Sequence, residues 1–268
     1  MSDFVQQQGT RCQFTGNYSW VILSAIEQSI KRKIEAVGTP LRDWDINIYR
    51  GVLTGYNEAF IVDTAKRDEI LGNCKTEDER KRTAELIRPI LRGRDIKRYG
   101  YDWANLWLIN THNGVRGRIP RIDINDYPAV KQHLDKYWDK ISSRADKGDT
   151  PYNLRNCAYL DDFYKPKLMY ADITQKLNFC YCEEVMFCNN TTYFMTATDS
   201  SLLPQIMKYL NSPLMDWYYR TISVQLGERA VRMFSIYVLK IPIPKELSDN
   251  IYEAYHLSKE EVAFIEHQ

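Results

Sequence analysis

The residues best suited to chemistry lie in the stretch 86–99, Leu-Ile-Arg-Pro-Ile-Leu-Arg-Gly-Arg-Asp-Ile-Lys-Arg-Tyr. Leu86, Ile87, Ile90, Leu91 and Ile96 can pack into a core. Arg88, Arg92, Arg94, Lys97 and Arg98 are too costly to bury unpaired and must reach solvent or an anionic partner. Pro89 bars a helix from running through and Gly93 permits a turn, so a helix should end near Arg88 with Arg92 and Arg94 flanking a bend. Two guanidinium groups on a bend suit bidentate contacts to phosphate oxygens or to a guanine edge. The competing reading is that Arg94 and Asp95 pair internally to hold the bend while the other cations form a solvated face.

Three further stretches carry similar chemistry. Asn113-Gly-Val-Arg116-Gly-Arg118-Ile-Pro-Arg121 holds two glycines and three arginines without an acid, a flexible basic loop. Gly227-Glu-Arg229-Ala-Val-Arg232 is a second basic turn, and Lys165-Pro-Lys167 precedes an apolar run. Between 51 and 57, turn residues carry Thr54, Tyr56 and Asn57, donors and acceptors on a loop, although turn chemistry alone accounts for Gly55 and Asn57 as well.

The elements that must position these groups follow from periodicity. Trp20, Leu23, Ile30 and Ile34 predict an amphipathic helix over 18–36, ended by Gly38 and Pro40, after a start (1–16) without periodicity. Alternation over 45–49 and the apolar run 59–62 predict a hairpin-like unit with 51–57 as its polar tip. Helices are expected over 66–71, 76–87 and 127–141, the last with Pro128 in its first turn, and a short strand over 107–109. The runs 168–173, 179–182, 185–188 and 193–197 read as strands of one sheet. Helices over 200–209 and 213–221 and a proline-bounded strand over 236–243 complete the body. A helix begins near Glu246, and Ser258-x-x-Glu261 reads as a capping box opening another. The expected fold is mixed α/β of the α+β kind, a twisted, mainly antiparallel sheet with surrounding helices and helices at the C-terminus.

The chain is long enough to bury a real core, and its net charge of +1 gives no general argument for a nucleic-acid partner. The distribution is more telling. Residues 80–98 carry eight basic side chains against two acids, while beyond Pro244 two lysines face six acids. Without that tail the body holds 34 basic and 29 acidic residues. Six cysteines in no paired pattern, with no signal peptide or long apolar span, predict a cytoplasmic protein with no membrane contact. Cys180 and Cys182 would share one strand face as buried thiols and not as a metal site. Nineteen tyrosines and six tryptophans serve a large core, or an interface that stacks on bases.

No two prolines are adjacent, so the Asn/Asp-Pro-Pro-aromatic motif of adenine amino-methyltransferases is absent. Phosphate-loop, zinc-protease and nucleophile-elbow motifs are absent too, and the four histidines form no ligand pattern. Asp95-Ile-Lys97 matches the Asp-x-Lys of metal-dependent nucleases but lacks a convincing upstream acid. The residues therefore predict no catalytic group, metal or cofactor in this chain.

A set of short motifs then carries a resemblance. They are Pro40-Leu41-x-x-Trp44, Gly51-x-x-Thr54-Gly55-x-Asn57-Glu58-Ala59-Phe60, and Ile87-x-Pro89-x-Leu91-Arg92-Gly93-Arg94-Asp95-Ile96-x-Arg98-Tyr99. Downstream come Trp107-Leu108-Ile109, Tyr127-Pro128-Ala129, Lys165-Pro166-Lys167, Leu210-Asn211-Ser212 and Ile241-Pro242-Ile243-Pro244. In this order and spacing the chain resembles the TaqI-like C-terminal specificity domain, the target recognition domain of restriction-modification methylases and related adenine methyltransferases. Tyr152 stands where the family's Pro-Trp pattern has tryptophan.

The resemblance implies a target-recognition-domain-like fold that reads a short double-stranded DNA sequence while a separate methyltransferase domain flips and methylates an adenine. S-adenosylmethionine, and magnesium for cleavage, would belong to that other domain. The expected division is an N-terminal segment and helix (1–38), a specificity domain (39–244) and a helical tail (245–268) that docks on the catalytic domain or on another specificity chain. The candidate DNA-binding residues are Arg92, Arg94, Arg116, Arg118 and Arg121, then Asn57, Lys97, Arg98, Lys167, Arg229 and Arg232. The alternatives are a fragment with residual nuclease chemistry at Asp95 and Lys97, and a protein-interaction module with an aromatic surface.

Overall fold

A computed structural model describes residues 23–227 and 229–268, so Cys12, Trp20 and the expected irregular start lie outside the described residues. Ser24 opens the first helix, α1 (Ala25–Val37), with a capping box to Glu27, and Gly38 closes it. Two four-stranded sheets follow, built from β1 (Ile46–Arg50), β2 (Ile61–Asp63), β3 (Ile87–Leu91), β4 (Leu106–Ile109), β5 (Lys167–Ala171), β6 (Phe179–Cys182), β7 (Phe187–Cys188) and β8 (Thr192–Ala197). The first runs β6-β5-β8-β1 and is antiparallel throughout. The second runs β7-β3-β4-β2, antiparallel except where β7 pairs parallel with β3.

The first sheet is a partition between two cores, because successive side chains of a strand face opposite ways. Met169, Cys180, Cys182 and Phe194 face the second sheet, together with Ile90, Leu91, Leu108 and Ile109. Leu168, Tyr170, Phe179 and Met195 face the helices α1, α6 (Leu203–Leu210) and α7 (Pro213–Ile222). Cys180 and Cys182 are the buried thiols the alternation predicts; burial pushes Cys180 up to about 12. Helices α2 (Thr64–Gly72), α3 (Glu77–Leu86), α4 (Pro128–Asp135) and α5 (Trp138–Ser143) accompany the second sheet.

Several expectations change. The expected hairpin of 45–49 with 59–62 does not form: β1 pairs with β8 and β2 with β4, so these neighbours in sequence belong to different sheets. The connection crosses at Gly51, where a Cβ would lie 2.1 Å from the Asn189 carbonyl oxygen, an approach only glycine allows. The expected 127–141 helix breaks at Lys136 and Tyr137, whose N–H groups bond the His133 and Leu134 carbonyls three residues back. That break seats the Tyr137 ring 5.4 Å from His133 and 6.1 Å from Tyr56. Of the expected 236–243 strand only Pro242–Ile243 pairs, with Thr39–Pro40, while Ser235–Val238 is a helical turn; prolines in both short strands remove ladder donors.

The acidic tail packs on its own chain. In α8 (Lys259–Glu266), opened by the predicted Ser258–Glu261 capping box, Ile265 joins the helical core, and Glu261 pairs with Lys33 at 2.7 Å. Tyr255, just before it, is fully buried and donates to the Pro242 carbonyl at 2.7 Å. Ile265 of the tail is thus used inside the molecule.

Candidate nucleic-acid interface

The basic bend lies at the end of β3. Pro89, unable to donate, sits where ladder pairing passes from β4 (87–89) to β7 (90–91), so the strand tolerates it. Gly93–Asp95 then form a single 3-10 turn. Gly93 donates to the Thr191 hydroxyl at 3.0 Å, and a Cβ there would lie 2.7 Å from the Thr191 carbonyl oxygen. Asp95 is buried, and its partner is Arg92, not Arg94. The Arg92 guanidinium grips both oxygens at 3.0 and 2.8 Å and the Arg92 amide adds a third bond at 2.8 Å. Burial pushes the Asp95 carboxyl up, but these donors outweigh it and hold it below the usual carboxylate range. The expected Arg94–Asp95 pair is corrected: a buried carboxylate needs a bidentate partner, and the bend supplies the residue three positions earlier.

Arg94 is exposed on the same bend and has no carboxylate within ion-pair distance among the described residues. Lys97 donates to the Arg94 carbonyl at 3.0 Å and lies 3.8 Å from Asp102. Arg98 ties the bend to the α6–α7 link through the Asn211 carbonyl at 2.6 Å, with its guanidinium 5.3 Å from the ring centre of half-exposed Tyr99.

The 113–121 segment is a stapled hairpin and not a loose loop. Val115 and Ile119 bridge, and Gly114 and Gly117 take positive φ. Asn113 holds Asp149 through its amide nitrogen at 3.0 Å and its oxygen at 2.9 Å, and also bonds Asn156. Arg118 pairs with Asp161 at 2.8 Å and Arg121 with Asp149 at 3.8 Å, whereas Arg116 is exposed with no carboxylate partner among the described residues. Together with Asp149 and 156–158, the hairpin frames an open concavity of about 880 Å³.

Lys167 is corrected outright. It is fully buried in β5, opposite Cys182, and its ammonium donates to the Glu184 carbonyl at 3.1 Å; burial lowers its pKa. The alternation of β5 points it inward, out of reach of a phosphate. Asn57 is exposed at the start of the helical turn Asn57–Phe60, and its side-chain oxygen accepts the Thr54 hydroxyl at 2.6 Å. Arg229 is exposed in the turn between the short strands Gln225–Leu226 and Ala230–Arg232, and Arg232 lies 3.5 Å from Asp172.

Two arginines that the sequence left unremarked matter here. Arg144 is buried with no carboxylate in ion-pair distance among the described residues, donates to the carbonyls of Thr54, Asp146, Pro151 and Asn153, and is lowered by burial to about 10. It pins the 51–57 loop to the base of the hairpin; a single arginine in a polar, turn-rich segment gives no sequence signal of that. Arg50 ends β1, donates to the Asn190 carbonyl at 3.0 Å and reaches Asp172 at 4.0 Å. The bend and the 225–232 turn share this end of the first sheet, since Asp172 bonds Thr191 and Met233 through its backbone. The basic hairpin adjoins it through Tyr159, whose hydroxyl donates to the Arg50 carbonyl at 3.0 Å. Arg232 and Arg50 therefore meet at Asp172, Arg94 lies on the bend and Arg229 on the turn that reach this end of the sheet, Arg116 lies on the hairpin, and Lys167 belongs to none of these.

The model of the TaqI-like C-terminal specificity domain matches residues 88–243. The Type II methyltransferase M.PaeR7I of Pseudomonas aeruginosa is 23% identical over 233 residues, 86% of this chain and 38% of that protein. The chain thus spans well under half the length of this relative. Among solved structures, the Type IIL restriction-modification enzyme MmeI in complex with DNA aligns with a TM-score of 0.54 and 14% identity, over 75% of this chain and 25% of that one. The type IIG restriction endonuclease BpuSI aligns at 0.48 and 14% identity, over 90% and 27%. The MmeI likeness is one of fold.

Proposed function

Because the chain belongs to the TaqI-like C-terminal specificity domain family, matched over residues 88–243, we propose that it reads a short double-stranded DNA sequence without itself catalysing a reaction. The methyltransferase that acts on the bound site, on adenine N6, is a domain outside this sequence. S-adenosylmethionine, and magnesium where cleavage occurs, belong to that domain, and the setting is the bacterial cytoplasm.

The observation that carries this reading is a pair of exposed guanidiniums without a carboxylate partner among the described residues, Arg94 on a glycine bend and Arg116 on a stapled hairpin, in a protein of nearly neutral charge. Rigid turns that hold exposed arginines suit phosphate contact and base-edge readout. Against the nuclease alternative stands the engagement of both Asp95 oxygens by Arg92.

The test is retention of a random duplex pool by the purified chain at two salt concentrations, with the retained fraction sequenced. An enriched short motif is expected, with retention falling as salt rises. The triple variant Arg116→Ala, Arg118→Ala, Arg121→Ala should lose most of the enrichment. Unchanged affinity in that variant overturns the role of the hairpin, and no retention by the parent chain leaves protein interaction as the function.

A further inference from the structure

Asp172 sits where β5 has ended and the chain passes into the short strand Ile173–Thr174, fixed by its amide to the Thr191 carbonyl at 2.9 Å and by its carbonyl to the Met233 amide at 2.8 Å. One carboxylate oxygen, Oδ2, serves two arginines from different elements, Arg50 at 4.0 Å and Arg232 at 3.5 Å. The other, Oδ1, is buried and has no hydrogen-bond partner among the described residues. Buried carboxylates in native proteins are paired or bonded, so this arrangement costs stability and calls for an explanation.

Both guanidiniums remain substantially open, Arg50 with 53% and Arg232 with 36% of its side chain exposed. Each is also steered by the protein: Arg50 donates Nε to the Asn190 carbonyl and lies over the Tyr193 ring, and Arg232 lies over the Phe234 ring. Two cations on one carboxylate leave a net positive charge and most of their N–H donors unspent. Without Asp172 the two like charges would spread apart.

We propose that Arg50 and Arg232 form a clamp for one DNA phosphodiester, with Asp172 as the positioning residue that keeps the two forks side by side. The clamp rests on the DNA-binding reading above. The two guanidiniums take the two non-bridging oxygens of one phosphate. Its role is to set position on the duplex, without sequence preference of its own.

Affinity of the full chain for the random duplex pool, measured across a salt series, tests this. Arg50→Ala and Arg232→Ala each weaken binding equally on all retained sequences. Because both contact one phosphate, the double variant lowers the slope of log affinity against log salt by about one. Asp172→Asn separates positioning from charge. Removing a negative charge beside DNA strengthens binding on electrostatic grounds alone, whereas loss of positioning weakens it by roughly two- to fivefold, the scale of an exposed ion pair. Tighter binding by Asp172→Asn overturns the positioning role, and an unchanged salt slope in the double arginine variant overturns the clamp. The two arginine variants keep the question decidable if Asp172→Asn fails to fold. Absence of binding by the parent chain overturns the DNA reading itself, which separates that failure from a failure of the clamp.

Discussion

Arg92 and Lys167 show how a cation in a basic stretch is consumed by the fold. Arg92→Ala leaves the buried Asp95 carboxylate with only backbone donors, so we expect a loss of about 3 kcal/mol in urea unfolding. Lys167→Met keeps the volume and removes a buried ammonium; its stability should stay within about 1 kcal/mol of the parent, and its DNA affinity should not change. A large affinity loss in a folded Lys167→Met protein would return that residue to the interface. The residue types were legible in the sequence, but their partners were not. Asp95 lies next to Arg94 in sequence, yet the turn brings it to Arg92. Arg50 and Arg232 are brought to Asp172 only by long-range pairing.

At the scale of elements, helix ends and apolar runs were readable because they depend on local signals. The Ser258–Glu261 capping box and the Asn211-Ser-Pro break between α6 and α7 appear where the sequence puts them. Strand partners were not readable, because alternation fixes which face a residue takes and says nothing of which strand lies beside it. The expected hairpin of 45–49 with 59–62 failed for this reason, and the parallel β7–β3 pair left no local trace. Glycines mark the points where such choices are enforced. Gly51→Ala puts a Cβ against the Asn189 carbonyl in the crossing between sheets, so it should abolish folding or lower the melting temperature sharply. Gly117→Ala at the hairpin tip meets nothing within 4 Å and carries only the strain of its positive φ, about 1–2 kcal/mol. Similar melting temperatures for the two variants would contradict this placement of the crossing.

Over the whole molecule, two cores share one sheet, and the α+β class expected from the pattern holds, with mainly antiparallel pairing. The second core was the less legible, because α1 and the tail reach it from opposite ends of the sequence. One buried and one half-buried histidine give this interior a pH signature. His112 and His133 are both lowered by burial from 6.5, and His133 donates Nε2–H to the Ala59 carbonyl at 3.0 Å. The unfolded chain therefore binds protons that the folded chain does not. Stability should be level above about pH 6.5 and fall as pH drops through the window down to the folded values. A second fall should come below Asp95's ordinary 3.8, as that carboxylate's contribution is lost. Urea midpoints between pH 7.5 and 5 check the first fall, which His133→Gln should reduce.

The shared sheet also bears on how such a module can change while remaining itself. In β5, Leu168 and Tyr170 answer to one core and Met169 to the other, so consecutive positions are under opposite packing constraints and the strand has no free face. Arg94, Arg116 and Arg229 stand outside both cores, on turns. A substitution at those tips disturbs neither core, while the wall behind them is held to its sequence from both sides.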